Sequence, residues 1–153
     1  MRCLRSLRSD HSGAAIIELA LSATVLATMI AGVADISSAY SRKLALEQAA
    51  QRAIEKQMQT TGIETPEGTL KSEAIAQAGN GLTADKITVT YTRNCNGAKQ
   101  DDYNDECEPT EITTRYLSIR IYDDYSPILP ITFGTMTAEG KYRVSAEAGL
   151  RIQ

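Results

Sequence analysis

The longest apolar stretch of the chain lies near its N-terminus. No residue from Leu19 to Ala34 is charged, and Glu18 carries the one charge between Ala14 and Ala34. As a helix, the uncharged run would span roughly 24 Å, against about 30 Å for the hydrocarbon core of a bilayer. The pattern therefore predicts a short membrane anchor, completed by its flanking residues and ended by Asp35.

The next stretch, residues 41–60, has the pattern of an amphipathic helix. It contains no Pro or Gly, and good helix formers dominate it. Leu46, Ala49 and Ala53 recur near helical spacing, while charged residues fill the remaining positions. We predict one continuous helix from near Ala14 to Thr60, roughly 70 Å long, with Gly62 as its terminator.

A second, shorter helix is predicted after this one. Thr65, Pro66 and Glu67 form a start signal, because Thr can cap, Pro suits the first turn and Glu favours the positive helix end. Leu70, Ala74, Ile75 and Ala78 give this helix one apolar face, and the Gly-Asn-Gly at 79–81 stops it.

The remainder of the chain shows the period-two alternation of strands that are wet on one side. Three runs carry the pattern, at 87–92, 117–122 and 141–152. Between the last two lies the apolar segment 126–131, whose two prolines predict a packed loop or a short irregular element. The predicted fold class is α+β, with a long N-terminal helix packed on a small antiparallel sheet.

Composition narrows the function. The 153 residues suit one modest domain plus an anchor. The formal net charge is −3, and residues 1–13 carry +2, so a chain lacking them would carry −5 and gives no reason to expect nucleic-acid binding. His11 is the one histidine, and no carboxylate pair or nucleophile with an evident base is present. We expect neither an enzyme nor a cofactor.

The residues around the start of the apolar run combine basic, small and acidic residues at a defined spacing. Arg2, Arg5 and Arg8 make a basic leader, and Glu18 follows Gly13 by five positions. A plain anchor gains nothing from a buried carboxylate, which costs a few kcal/mol on insertion scales. A cleaved secretory signal is the alternative, since residues 31–34 imitate its cleavage site; Glu18 inside the apolar core argues against it.

This arrangement resembles the class III signal of type IV pilins, and residues 13–21 resemble the TadE-like minor pseudopilins of the tight-adherence (Tad) system. The resemblance implies that a prepilin peptidase cuts between Gly13 and Ala14, making Glu18 the fifth mature residue. It implies a leader over 1–13, a transmembrane helix half over 14–38 and a pilin-like domain over 39–153. The implied partners are other pilins, the Tad inner-membrane assembly platform and membrane lipid.

The arginine cluster places the N-terminus in the cytoplasm and the domain in the periplasm. Oxidation is expected there, so Cys95 and Cys107 are predicted to form a disulfide worth roughly 3 kcal/mol; the alternative is two unpaired thiols. Cys3 would be a free thiol or leave with the leader. Cysteine spacing makes zinc improbable. We interpret the acidic run 101–106 as a solvated loop, with calcium as a weaker alternative.

Two functions remain open. The first, implied by the resemblance, is a minor pseudopilin: a structural or assembly subunit involved in adhesion and pilus biogenesis. The second is a membrane-tethered periplasmic binding module that never enters a filament. Cleavage between Gly13 and Ala14 distinguishes them. Glu18 would pair with the α-amine of Ala14, within the chain or on a neighbouring subunit, or stay neutral and bond to a hydroxyl of its own helix such as that of Ser22.

Overall fold

The computed structural model describes residues 12–60, 64–79, 81–129 and 136–152. It confirms the predicted α+β class, with a long N-terminal helix packed on a small antiparallel sheet. The helices are α1 (Ser12–Gln59) and α2 (Glu67–Ala78), followed by a 3-10 turn (Ala84–Lys86). The strands are β1 (Ile87–Cys95), β2 (Ala98–Lys99), β3 (Thr113–Tyr125) and β4 (Tyr142–Arg151).

Helix α1 is unbroken over 48 residues, a length of about 72 Å. It joins the apolar and amphipathic stretches of the sequence, as predicted. It ends at Gln59, one residue before the predicted end, and Thr60 donates its amide to the Gln57 carbonyl at 3.1 Å. Gly62 lies outside the described residues, so its role as terminator stays a prediction.

The predicted capping role of Thr65 is wrong. The residue that precedes α2 is Pro66, and no side chain caps the helix. Thr65 is turned toward the end of α1 instead: its amide donates to Gln57 Oε1 at 2.9 Å and its hydroxyl donates to Thr60 Oγ1 at 3.0 Å. Interhelix contacts therefore replace the cap. At the other end Gly79, with φ 56°, stops α2 as predicted.

The sheet has the order β2-β1-β3-β4, and every pair is antiparallel. Strands β1 and β3 extend beyond the predicted runs because polar residues continue the pairing, with Cys95 opposite Thr113. The sequence analysis did not predict β2. This two-residue strand follows a tight hairpin at Asn96 and Gly97, whose φ angles of 50° and 85° suit the Asn-Gly turn.

The core lies between one face of the sheet and the C-terminal part of α1, with α2 at the side. Its largest fully buried side chains are Leu46, Leu70, Leu117, Ile119 and Ile121. The alternation predicted for β3 and β4 is confirmed, since these inward residues are buried and their neighbours are more exposed. Among the described residues the core begins at Leu46, so the first half of α1 contributes nothing to it.

Candidate functional site

The N-terminal half of α1 is an apolar surface with no packing partner among the residues that the structure describes. All the side chains of residues 13–30 are exposed, and large apolar ones are typically 59–71% exposed, as at Ile16, Val25 and Ile30. Contiguous apolar surface of this kind marks a membrane or protein interface. The helix Gly13–Gln59 is long and apolar enough to cross a membrane.

The two threonine hydroxyls of this half, at Thr24 and Thr28, are satisfied by their own helix. Thr24 donates to the Ala20 carbonyl at 2.8 Å and Thr28 to the Thr24 carbonyl at 2.9 Å. Further along, Ser38 donates to the Ala34 carbonyl at 2.8 Å. Internal bonds of this type lower the cost of placing a hydroxyl in hydrocarbon, where no water can replace them. The two threonines of the run are therefore compatible with a lipid environment.

Gly13, Ala14 and Glu18 lie on the first turns of α1, and all three are exposed. A Cβ atom added at Gly13 would meet no described atom outside its own helical turn within 4 Å. Among the described residues Glu18 has no hydrogen bond or ion pair, and the structure forms no bond between it and Ser22. The carboxylate thus stands on the apolar surface, four residues from Ala14 and on the same side of the helix.

Asp35 ends the apolar run and holds a distant loop. Its Oδ1 accepts the amide of Ile128 at 2.7 Å and the Tyr125 hydroxyl at 2.9 Å, while its Oδ2 accepts the Leu129 amide at 2.8 Å. The described part of the proline-containing segment, 126–129, is irregular as predicted. It is fastened through its backbone, and Ile128 remains 69% exposed.

A cluster of three charged residues joins α1, the 3-10 turn and β3, just beyond the apolar half of α1. The Asp123 carboxylate on β3 forms salt bridges with Arg42 Nη2 at 2.6 Å and with Lys86 Nζ at 2.5 Å. Arg42 Nη1 also donates to the Ala78 carbonyl at the end of α2, at 3.1 Å. Burial of the Asp123 carboxyl raises its pKa, but the hydrogen bonds from Lys86 and Arg42 outweigh that effect and leave the pKa below its ordinary value.

The opposite end of the domain carries the cysteine loop. Cys95 and Cys107 form a disulfide with their Cα atoms 5.5 Å apart. Arg93 reaches under the loop, where its Nη1 donates to the Asp105 carbonyl at 2.7 Å and its guanidinium lies 5.2 Å from the centre of the Tyr103 ring. Burial, followed by the effect of Glu64, raises the pKa of Tyr103 to about 12.

These contacts bear on the metal alternatives. The acidic side chains at 101, 102, 105 and 106 are exposed, as a solvated loop requires. Asp102 Oδ1 accepts the Asn104 amide at 2.9 Å, so that oxygen already has a donor. Potential ligand atoms of Cys95, Cys107 and Glu111 come within 4.8 Å of one another, but the disulfide removes both thiolates.

Sequence reasoning missed the residues that orient the anchor against the domain. Asp35 was recognised as the end of the apolar run, but its partners lie 90 or more positions away. Arg42 was one of the charged residues on the polar face of the amphipathic helix, and Asp123, just beyond the predicted strand, was not singled out. One signal was present in the sequence: an acidic residue immediately after an apolar run needs donors when it sits near a membrane.

Fold and exposed helix together define a class of protein with one apolar N-terminal helix half and one small α+β domain. The family model of TadE-like proteins matches residues 13–54. The match begins at the predicted cleavage site and ends within the packed half of α1. It confirms the resemblance to TadE-like proteins over these residues. The resemblance associates the chain with Tad pili. No curated protein and no solved structure matches the chain.

Proposed function

We propose that the protein is a minor pseudopilin, an assembly or structural subunit of a Tad-type pilus involved in adhesion and pilus biogenesis. Residues 14–38 would hold it in the bacterial inner membrane, with the leader in the cytoplasm and the domain in the periplasm. The observation that carries this proposal is the coincidence of the TadE-like match with an unbroken helix whose apolar half packs on none of the described residues.

Maturation follows from the position of Gly13. A prepilin peptidase would cut between Gly13 and Ala14, which creates an α-amine with a reference pKa near 8 that is largely cationic at neutral pH. An isolated carboxylate is too costly in a bilayer, so Glu18 is either protonated or paired with this cation. The new amine of a neighbouring subunit is the partner we favour, because such a pair sets the stagger between adjacent helices as a subunit leaves the membrane.

Processing is tested by Gly13→Leu. A bulky side chain beside the scissile bond should keep the peptidase from the backbone, so the full-length precursor should accumulate in the membrane. Gly32→Leu is the matched control, because it places the same side chain on the same helix where nothing lies within 4 Å. Normal cutting of the Gly13 variant would contradict the proposed maturation and favour the tethered binding module.

Glu18 is tested by association with partner pilins. Chains with Glu18→Ala or Glu18→Gln should still insert into the membrane and be cut, because both substitutions remove a charge from the anchor. Neither chain should crosslink or co-purify with partner pilins. Ser22→Ala is the control, one turn along the same side of the helix. Full association of both Glu18 variants would refute the intersubunit role. Loss of association in Ser22→Ala would instead point to a bond between Ser22 and Glu18.

A further inference from the structure

The loop after β3 lies at the level where the apolar half of α1 ends. Asp35 is the first charged residue after the uncharged run, and its carboxylate accepts the amides of Ile128 and Leu129 directly. The Tyr125 hydroxyl completes the set at 2.9 Å. Two backbone donors of the loop 126–129, together with the Tyr125 hydroxyl at the end of β3, fix the loop to one position on the helix. The depth of Asp35 in a membrane is therefore also the depth of the loop.

An apolar groove of about 590 Å³ opens between this loop and α1. Ile36 and Tyr40 line its helix side, and Pro127, Leu129 and Val144 line the other. Ile36 and Tyr40 are 70% and 60% exposed. The groove is a direct continuation of the apolar surface of the anchor, because Gly32 of the run forms part of its wall.

We propose that the loop 126–129 is a second membrane contact, which enters the boundary between headgroups and acyl chains while lipid fills the groove. This inference rests on the proposed function, because it requires the first half of α1 to span the bilayer. Ile128 is 69% exposed, the same fraction as Ile16 on the anchor. An exposed Ile at this depth meets lipid rather than water.

Two further observations favour lipid as the occupant. Tyr40, Tyr125 and Tyr142 lie at the groove, and Tyr is enriched where a protein crosses the membrane interface. The loop amides at 128 and 129 already have acceptors in the Asp35 carboxylate. Backbone that enters the interface without free donors avoids the cost of unsatisfied polar groups. The contact would fix the tilt of the domain over the membrane.

Bromolipid quenching tests the contact, because the chain has no Trp and each introduced Trp reports alone. The full mature chain would be reconstituted in phosphatidylcholine and phosphatidylglycerol vesicles with brominated acyl chains. Ile128→Trp reports on the loop. Ile112→Trp is the matched control, since Ile112 is 70% exposed and pairs with Asn96 near the disulfide. Leu26→Trp reports on the anchor.

We expect the Trp at 128 to lose roughly half of its emission, as suits a side chain about 5–10 Å into the interface, and the Trp at 112 to lose almost none. Adding Asp35→Ala should release the loop and reduce quenching at 128 while leaving it at 26. Equal, negligible quenching at 128 and 112 with strong quenching at 26 would overturn the inference and retain the anchor.

The remaining outcomes are also decisive. Absence of quenching at 26 and 128 alike would overturn both the anchor and the loop contact. Quenching at 128 without quenching at 26 would refute the spanning helix and overturn the inference as stated, because the loop would then contact lipid without an anchor that sets its depth. Crosslinking of position 128 to a second copy in the vesicles, without quenching by lipid, would overturn the inference in favour of a protein occupant.

Discussion

Replacing Asp123 with Ala should destabilise the domain far more than removal of an ordinary surface charge. One carboxylate there serves Arg42 of α1 and Lys86 of the 3-10 turn, and Arg42 extends the connection to the end of α2 through the Ala78 carbonyl. The variant would leave two cations close together without their anion. Helix α1, which carries the anchor, would lose its salt bridge to the sheet.

The solvent exposure of the three side chains determines how much stability Asp123→Ala should remove. The Arg42 and Asp123 side chains are 13% and 14% exposed and that of Lys86 is 26% exposed. The cluster therefore lies between an exposed pair, typically worth about 0–1 kcal/mol, and a buried pair, whose breakage costs about 3–5 kcal/mol. We expect Asp123→Ala to lower the free energy of unfolding by about 2–4 kcal/mol.

Asp124→Ala is the matched control. This neighbouring carboxylate pairs with Arg143, whose side chain is 56% exposed, so its loss should cost about 0–1 kcal/mol. Urea titration of the full chain in mild detergent, followed by near-ultraviolet circular dichroism, measures both. In 1 M salt the effect of Asp124→Ala should vanish, because exposed pairs are screened, while that of Asp123→Ala should persist. Equal effects of the two variants would refute this account of the cluster.

The stability that Asp123 contributes should depend on pH in a defined way. The pKa of Asp123 is lower in the folded chain than its ordinary value of about 3.9 in the unfolded chain. Its contribution is therefore fully present above about pH 4 and is lost as the pH falls through the lowered folded value. The difference between the unmutated chain and Asp123→Ala should shrink only in that acidic range. A difference that disappears near neutral pH would contradict the lowered pKa.

Three other changes have expected outcomes. Cys107→Ser should lower the free energy of unfolding by about 3 kcal/mol, and reductant should then have no further effect in the urea titration; a continued effect would mean that a remaining cysteine, Cys3 or Cys95, forms another disulfide. Leu117→Ala, which empties a fully buried site, should cost about 2–5 kcal/mol in the same assay, and a cost below that range would contradict the described core. Gly97→Ala should cost about 1–2 kcal/mol because φ is 85° there, whereas Gly68→Ala, at an open position without positive φ, should be neutral or stabilising.

The elements predicted from the sequence were those with a sustained local period. The long helix followed from an apolar run joined to an amphipathic one without Pro or Gly, and β3 followed from the alternation of Leu117, Ile119 and Ile121. Burial explains why such patterns are informative, since one face of each element must pack on the core. Strand ends were less predictable, because polar residues such as Thr113 pair through the backbone and carry no such period.

The contacts that join distant segments could not be predicted in this way. Thr65 has the residue type of a cap, yet Gln57 and Thr60 compete for its polar groups once α2 lies beside α1. Asp35 and the loop at 128 are separated by 93 positions, and no local pattern connects them. Glu18 is the opposite case, because its position relative to Gly13 is a local signal that the sequence already displays.

The mass of the mature N-terminus tests the central claim most directly. Protein purified from membranes would be digested and its N-terminal peptide identified by mass spectrometry, with the Gly13→Leu chain measured in parallel. The account predicts a chain that begins at Ala14 and retains the apolar half of α1, and an uncut precursor for the variant. A membrane protein that still begins at Met1, or a soluble domain cut after Ala34, would contradict it.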